Sequence, residues 1–315
     1  MASWSNNTAD HIAVAGYKVA SMLARVAPAS VLTGASAGIG SSLSRAMKQN
    51  RAMVMRHLQR VDPSLNGKRL HVATQQAFAS YTRYYLETFR LTSLSKQQIA
   101  QGHHVEGFQH IEDSATKGKG TILALPHMGG WEWSGRWLID QGYQLTAVVE
   151  RLENIELFEW FVEMRSRYGV NVIALTDDAG IAVGNALREN HVVSLLCDRD
   201  IPKDGKRTGV HVQFFGETTT VPAGPAFFAL RTGAQLLPMA TFFTPGANGH
   251  KSVIRPALVV ERQGSLREDV TRITQVLTTE LEILIRQAPE QWHLFQPNWP
   301  SDPGYAEMRK ASSAE

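Results

Sequence analysis

Beyond residue 100 the chain alternates short apolar runs with amphipathic segments. Short apolar runs are typical of buried strands, and apolar positions at a spacing of three and four are typical of helices. Strands are predicted at 103–107, 121–125, 144–149, 170–174, 191–197, 235–243 and 252–259. Helices are predicted at 131–141, 155–168, 179–189 and 266–287. This order predicts an α/β fold whose central sheet is mixed, largely parallel and flanked by helices.

The first 100 residues show helical spacing instead. Helices are predicted at 9–25, 41–61, 70–90 and 94–101. The helix at 70–90 has an aromatic face that is typical of a core position, and an interfacial role is the alternative. We therefore expect a helical amino-terminal region over 1–100, an α/β core over 101–300 and a polar tail over 301–315, within one integrated domain.

Charge is spread unevenly along the 315 residues. The formal net charge is +3, but residues 1–100 carry 12 Lys and Arg against three acidic residues, a net of +9. The remainder carries 20 against 26, a net of −6. The basic first 100 residues suggest an anionic partner, which is a lipid surface or a nucleic acid, and a solvated basic helix face explains them equally well.

Cys197 is the only cysteine, so a disulfide within the chain is excluded and a zinc cluster is not expected. Its apolar surroundings, VVSLLCD, indicate a buried strand residue. The amino terminus lacks the basic-then-apolar order of a signal peptide, and no apolar run reaches the roughly 20 residues of a membrane span. The protein is expected in the cytosol or on a membrane surface.

A glycine-rich stretch at 33–40, TGASAGIG, matches the phosphate loop of short-chain dehydrogenases. In that family the glycines let the backbone approach a dinucleotide at the start of a helix. However, no tyrosine of this chain has a lysine four residues later, and the preceding strand would be only Val31–Leu32. A closely packed helix of small residues is favoured, and an NAD(P) oxidoreductase is kept as an alternative.

The most informative stretch is 119–132, KGTILALPHMGGWE. It places His127 at the carboxyl end of a predicted strand, followed by Gly129–Gly130 and by Glu132 at the start of a helix. A histidine and a carboxylate brought together by a glycine turn can act as a base and its orienting group. A loop histidine beside an unrelated helix-start glutamate is the alternative. Other polar residues, Glu150 and Asp198–Asp200, also follow predicted strands, where ligand clefts of α/β sheets lie.

Five segments in one order carry a family resemblance. They read PHMGGWE, VVERL, LLCDRD, VQFFGETTTVPAGPAFFALRTGA and PEQWHLFQPNW. Together they resemble the lipid-A-biosynthesis branch of the lysophospholipid acyltransferase superfamily, and within it the phosphatidylinositol mannoside acyltransferases. The resemblance covers about residues 75–300.

The resemblance implies transfer of a fatty acyl group, such as palmitoyl, from acyl-CoA to a mannose hydroxyl of a phosphatidylinositol mannoside. It implies His127 as the general base and Glu132, in place of the usual Asp, as the acid that orients it. The substrate-binding residues that it implies are Glu150, Arg165, Asp198, Arg199 and Asp200. A thioester is already activated, so neither a cofactor nor a metal is expected.

Two further groups are expected to touch the donor. The backbone N–H groups of Gly129–Gly130 are candidate oxyanion donors. The acyl-CoA phosphates require cations, and the candidates are Lys203, Lys206 and Arg207, unless these belong to a solvated loop.

Given the resemblance, the anionic partner is expected to be a membrane and not a nucleic acid, with residues 1–60 docking on lipid. The expected place is the cytoplasmic face of the plasma membrane, as a peripheral protein. Two alternatives remain within this class: another glycolipid acceptor such as a lipid-A-type precursor, and a non-catalytic membrane-binding relative, since Glu132 replaces the usual Asp.

Overall fold

A computed structural model describes residues 2–151, 154–176, 178–200 and 209–311, with side chains over the described part of 14–308. The first four helices are α1 (Ala2–Val26), α2 (Ala29–Ala46), α3 (Lys48–Val61) and α4 (Gly67–Arg90). The later helices are α5 (Lys96–Gln101), α6 (Gln109–Thr116), α7 (Trp131–Asp140), α8 (Ile155–Ser166), α9 (Ala179–Arg188), α10 (Gly224–Thr232), α11 (Leu266–Ile285) and α12 (Tyr305–Ala311). The strands are β1 (His103–Glu106), β2 (Thr121–Leu125), β3 (Leu145–Val149), β4 (Asn171–Ala174), β5 (Val192–Leu196), β6 (Gly209–Phe214), β7 (Glu217–Pro222), β8 (Gln235–Phe243) and β9 (His250–Ile254).

Seven strands form one sheet in the order β1-β9-β8-β2-β5-β3-β4. Every neighbouring pair is parallel except β8 with β9, which are antiparallel. The predicted fold class, a mixed and largely parallel sheet with an amino-terminal helical region, is confirmed. The hairpin of β6 and β7 forms a separate two-stranded sheet that the apolar pattern did not predict.

The sheet is covered on both faces. One core contains side chains of α9, α10, α11 and the β6–β7 hairpin, and the other contains side chains of α6, α7 and the segment before α5. All five residues of β2 are buried, which explains why the four that follow Thr121 are apolar and do not alternate with polar residues. The hydroxyl of buried Thr121 lies 2.6 Å from that of Ser114. A polar side chain can therefore be exposed on β2 only beyond the strand end.

The amino-terminal helices gather around α4, which contacts α1, α2 and α3. The predicted helix at 41–61 is wrong in one respect, because it consists of two helices. Met47 has a ψ of 70° and leaves the helical region between α2 and α3. Both helices pack against α4, and the break lets each of them do so separately.

The glycine-rich stretch lies inside α2 and does not form a loop. It follows another helix and not a strand, so the dinucleotide loop has no counterpart here. At Gly40 the α2 backbone lies close against α4: a Cβ added to Gly40 would lie 2.5 Å from the backbone nitrogen of Ala79. The prediction of a closely packed small-residue helix is confirmed.

Three strands end earlier than predicted, and the strand predicted at 103–107 does so by one residue, at Glu106. The predicted strand at 252–259 ends at Ile254, before Pro256, which has no N–H to donate to a neighbouring strand. The strand predicted at 191–197 ends at Leu196, and Cys197 follows it as a buried free thiol.

We predict opposite effects of two alanine substitutions in α2. Gly40→Ala forces α2 away from α4 and is expected to lower the free energy of unfolding by about 1–3 kcal/mol, the cost of overpacking. Gly38→Ala is the control, because the added Cβ has no described atom within 4 Å apart from its chain neighbours and the backbone of its own helix. It is expected to leave stability unchanged or raise it by about 0.5–1 kcal/mol through helix propensity. Urea unfolding measures both, and equal stabilities of the two variants would contradict the close approach.

Candidate active site

Two neighbouring strands of the sheet, of which β2 is fully buried and β5 mostly buried, bring the central residues together. β2 and β5 are parallel, and Leu125 at the end of β2 pairs with Leu196 at the end of β5. The same register continues beyond the strands, since the N–H of Cys197 donates to the carbonyl of Leu125 at 2.9 Å. His127 and Asp198, each two residues past its strand end, therefore meet at one edge of the sheet.

The His127 imidazole is paired with the Asp198 carboxylate. Nδ1 of His127 lies 2.6 Å from Oδ1 of Asp198, and the backbone N–H of His127 donates to Oδ2 at 3.0 Å. The Asp198 side chain is fully buried, whereas that of His127 is 17% exposed. Burial alone would raise the pKa of Asp198, but the hydrogen-bonded His127 and Trp292 side chains lower it to about 2. Because a carboxylate accepts at Nδ1, the ring carries its proton there and keeps the lone pair of Nε2.

The expected pairing of Glu132 with His127 is wrong. Oε1 of Glu132 accepts from Nη2 and Nε of Arg165 at 2.6 and 2.9 Å, and Oε2 accepts from the Tyr168 hydroxyl at 2.8 Å. The first turn of α7 carries Glu132 into the protein, where it is 8% exposed. Glu132 is thus close to His127 in sequence, but its carboxylate contacts Arg165. The carboxylate that contacts the His127 imidazole is that of Asp198.

Glu132 and Arg165 form an ion pair at the site, in which Glu132 is buried and Arg165 is partly exposed. Burial opposes the charge of Glu132, but the Arg165 guanidinium outweighs it and the pKa of Glu132 lies below its usual value. The negative charge of Glu132 contributes to the raised pKa of the Tyr168 hydroxyl, for which burial is the larger cause. The pair stays ionised and holds Arg165 in one place.

A cavity of about 610 Å³ opens at this edge of the sheet. Five of the seven residues predicted for the site line it, namely His127, Glu150, Arg165, Arg199 and Asp200. The other two are not lining residues but bond to residues that are: Asp198 is hydrogen-bonded to His127, and Glu132 is paired with Arg165. Within the wall, Nη2 of Arg199 lies 2.9 Å from Oε2 of Glu150. The polar part of the cavity is therefore made by residues from separate parts of the sequence.

Aromatic side chains form much of the remaining wall. Tyr81 and Tyr85 of α4 line the cavity, although their helix face was predicted to belong to the core. Tyr84 also lines it and stacks on Trp131, with ring centroids 4.0 Å apart. The helical spacing of these aromatics indicated their common face, but not what that face contacts.

His293 is a lining residue that sequence reasoning missed. Burial lowers its pKa to about 3, with nearby His127 adding to the shift, so the ring is neutral. Its Nε2 lies 2.8 Å from the Ser80 hydroxyl. The segment PEQWHLFQPNW carried part of the resemblance, and this was the available signal for His293.

The expected contacts of acyl-CoA involve Gly129–Gly130 and three basic residues. Gly129 is not a free oxyanion donor, because its N–H donates to the Gln291 carbonyl at 3.0 Å. Its φ of +56° and a backbone oxygen 2.1 Å from where a Cβ would lie explain the glycine on structural grounds. Lys203, Lys206 and Arg207 lie outside the described residues.

The chain is similar to known proteins over most of its length. Residues 8–301 match the family model described as bacterial lipid A biosynthesis acyltransferase. The chain belongs to this acyltransferase family.

Individual relatives agree with the family. The phosphatidylinositol mannoside acyltransferase of Mycobacterium tuberculosis is 36% identical over 74% of this chain and 71% of its own. That of Mycolicibacterium smegmatis is 35% identical over 72% of each chain. The lipid A biosynthesis acyltransferase of Haemophilus influenzae is 23% identical over 81% of this chain and 77% of its own. The resemblance deduced from the five segments is confirmed, and the protein is an acyltransferase.

Two further findings concern membrane spans and metal sites. In the described part of the chain, the helices lack the combination of length and apolarity that crossing a bilayer requires. Among the same residues, His, Cys, Asp and Glu side chains form no group of three that could hold a metal ion.

We predict that Glu132 is coupled energetically to Arg165 and not to His127, and double-mutant cycles on stability measure this coupling. Glu132→Gln and Arg165→Met are expected to couple by at least about 1 kcal/mol, because breaking a buried pair strands a charge that the second change removes. Glu132→Gln and His127→Gln are expected to add within about 0.5 kcal/mol, as unconnected sites do. Urea unfolding of the single and double variants measures both, and strong coupling of Glu132 to His127 would contradict the observed pairing.

Proposed function

We propose that this acyltransferase moves a fatty acyl group from acyl-CoA to a mannose hydroxyl of a phosphatidylinositol mannoside. The proposal is carried by the His127–Asp198 pair, whose imidazole lines a large cavity at the carboxyl edge of the sheet. The acceptor is suggested by two relatives named for it, at 35–36% identity.

His127 serves as the general base. A sugar hydroxyl is a poor nucleophile at neutral pH, so a positioned base is worth roughly 10²–10⁴-fold in rate. Nδ1 is committed to Asp198, and no hydrogen bond from a described residue occupies Nε2. Nε2 takes the hydroxyl proton as the oxygen attacks the thioester carbonyl. When the C–S bond breaks, that proton passes to the CoA thiolate.

Asp198 stabilises the imidazolium that forms during this transfer. The low pKa of Asp198 keeps it ionised throughout the neutral range, so it can hold the charge on His127 without taking the proton. This assignment removes the main reason for the non-catalytic alternative. The extra methylene of Glu132 does not touch the imidazole, because Glu132 is bonded to Arg165.

The cavity wall offers separate surfaces to the two substrates. Glu150, Arg165 and Arg199 supply donors and acceptors suited to mannose hydroxyls. The apolar side chains are suited to a fatty acyl chain, and they include Val148, Phe158, Phe161, Val183, Leu195 and Phe228. Gly130 remains the candidate oxyanion donor, since it precedes the first turn of α7, where the helix dipole favours negative charge.

The amino-terminal helices supply the membrane contact in this proposal. Large apolar side chains are exposed along α1 and α2, and they include Val19, Met22, Leu23, Val26, Val31, Ile39 and Leu43. Basic residues lie among them, such as Arg25 and Arg45. An apolar surface with cations around it is typical of helices that lie in an anionic membrane interface. Peripheral binding at the cytoplasmic face of the plasma membrane would bring the cavity to its lipid acceptor.

A lipid-A-type precursor is the second candidate acceptor. It is favoured by the lipid A biosynthesis acyltransferase of Haemophilus influenzae, which is more distant at 23% identity. The two acceptors demand the same chemistry at His127 and differ only in the sugar presented to it.

We predict that free CoA is released from palmitoyl-CoA when a phosphatidylinositol mannoside is added. His127→Ala is expected to lower this acceptor-dependent rate by about 10²–10⁴-fold, because the base is lost. His104→Ala is the control, since the His104 side chain is 72% exposed and lies 3.8 Å from Glu106, away from the cavity lining. Thiol detection of CoA measures the rates, with a lipid-A-type precursor as a parallel acceptor.

The outcomes of this assay separate the possibilities. Release stimulated only by the lipid-A-type precursor would replace the acceptor and keep the base. Full activity of His127→Ala would contradict the mechanism, and no release by the unaltered protein with either acceptor would favour a non-catalytic membrane protein.

We also predict that the protein co-sediments with vesicles containing anionic phospholipid and does so less at high salt, because exposed charges are screened. Leu23→Asp with Val26→Asp is expected to reduce binding several-fold, since both side chains are more than half exposed on α1. Val276→Asp on α11 is the matched control, with a side chain that is 45% exposed. Binding that is indifferent to lipid charge, salt and the α1 change would contradict docking through these helices.

A further inference from the structure

The Asp198 carboxylate is held by more than His127. Its Oδ1 faces the imidazole, and its Oδ2 accepts a hydrogen bond of 2.7 Å from the indole Nε1 of Trp292. The Trp292 side chain is buried and packs against Phe214 and Phe215, with ring centroids 5.8 and 5.7 Å away. The indole N–H is therefore fixed in direction, as is the carboxylate oxygen that it meets.

The backbone around Trp292 is joined to the backbone around His127. The His293 N–H donates to the His127 carbonyl at 2.7 Å, and the Gly129 N–H donates to the Gln291 carbonyl at 3.0 Å. Met128 and Trp292 form an antiparallel bridge between these bonds. The histidine and the tryptophan that share one carboxylate thus belong to paired segments.

A second contact reaches Asp198 from the same irregular segment, residues 289–302, which we call the closing segment. Nδ2 of Asn298 donates to the Asp198 backbone carbonyl at 3.2 Å. Asp302 holds this part of the segment, because its carboxylate accepts from the N–H groups of Asn298 and Trp299 at 2.9 and 3.0 Å. The side chain and the backbone of Asp198 are therefore both fixed by residues 292–298.

The closing segment is anchored in turn on α3. Arg56 and Arg60 donate to Oδ1 of Asp302 at 2.8 and 3.1 Å. His57 lies 3.3 Å from Oδ2 of Asp302 and 3.0 Å from the Leu294 carbonyl. The support of Asp198 thus runs outside the sheet, to an amino-terminal helix.

We propose that Trp292 is a positioning residue for catalysis, which holds the Asp198 carboxylate so that Oδ1 stays on Nδ1 of His127. The proposal rests on the proposed function, in which His127 is the base. Without the indole N–H, Oδ2 keeps the longer hydrogen bond of 3.0 Å from the His127 backbone N–H and loses the shorter one of 2.7 Å. The carboxylate then turns more freely about its Cβ–Cγ bond, and Oδ1 leaves the imidazole more often. The base then spends less time with its lone pair directed at the acceptor hydroxyl.

The position of Trp292 determines which kinetic constant its substitution is expected to change. Outer groups that orient metal-ligating histidines typically contribute about 10–100-fold in metal affinity or activity, and we expect the same order for a group that orients the partner of a catalytic histidine. Trp292 is not among the residues that line the cavity, so substrate binding has no direct contact to lose. A positioning role therefore lowers kcat and leaves KM nearly unchanged.

The test compares Trp292→Phe with Trp299→Phe. Trp299 is fully buried in the same aromatic cluster, with its ring centroid 6.2 Å from that of Trp292, and its Nε1 donates to the Phe214 carbonyl at 3.1 Å. Both changes remove one indole N–H and similar volume, so both are expected to lower stability. Only Trp292→Phe is expected to lower kcat by about 10–100-fold, in the acceptor-dependent CoA release assay below the unfolding temperature of either variant. Equal kcat losses in the two variants would overturn the proposal.

Two further variants sharpen the test. Replacing Trp292 with 3-benzothienylalanine exchanges the N–H for a sulfur at nearly constant shape, so it tests the hydrogen bond even where Trp292→Phe does not fold. An unchanged kcat in that variant would overturn the proposal. In an Asp198→Asn background, Trp292→Phe is expected to have little further effect on kcat, whereas the same fold-loss as in the unaltered protein would show that Trp292 does not act through Asp198.

The failure of this proposal and the failure of the proposed function are distinguishable. If His127→Ala abolishes release while Trp292→Phe behaves like Trp299→Phe, the base stands and the positioning role falls. If His127→Ala retains full activity, both fall.

Discussion

The chemistry that we propose for this acyltransferase depends on the parallel pairing of β2 with β5. The two strands are in register from Thr121 with Val192 to Leu125 with Leu196. Continuing that register by two residues places His127 beside Asp198. Since β2 is buried throughout and β5 is buried at three of its five residues, the sheet fixes the separation of the two side chains. The imidazole and its acid are neighbours because the strands are.

The fold class was predictable because strand and helix patterns alternate clearly after residue 100. The order of strands in the sheet was not, since the same alternation is compatible with several orders. This explains the error over the acid. Glu132 is close to His127 in sequence, whereas Asp198 becomes close only once β2 and β5 are known to be neighbours. The first turn of α7 then directs Glu132 to Arg165.

Residues contributed by irregular segments were the least predictable part of the site. The run from Pro289 to Asp302 has only a short 3₁₀ turn and no strand within it, so periodicity carries no information about its partners. Its importance lies in contacts that span the sequence, such as Trp292 with Asp198 and Asp302 with His57. By contrast, α4 was predicted from its pattern, and only the identity of what its tyrosines face required the structure.

The link between α3 and the closing segment has a consequence for how the enzyme is made. His57 and Asp302 are 245 residues apart, so α3 leaves the ribosome long before the partner that it anchors. During synthesis, His127 and Asp198 are both translated before the Trp292 indole and the Asn298 amide, which hold Asp198. The site is therefore completed late in translation, and a chain that terminates before Trp292 would carry His127 and Asp198 without the indole and the amide that support them.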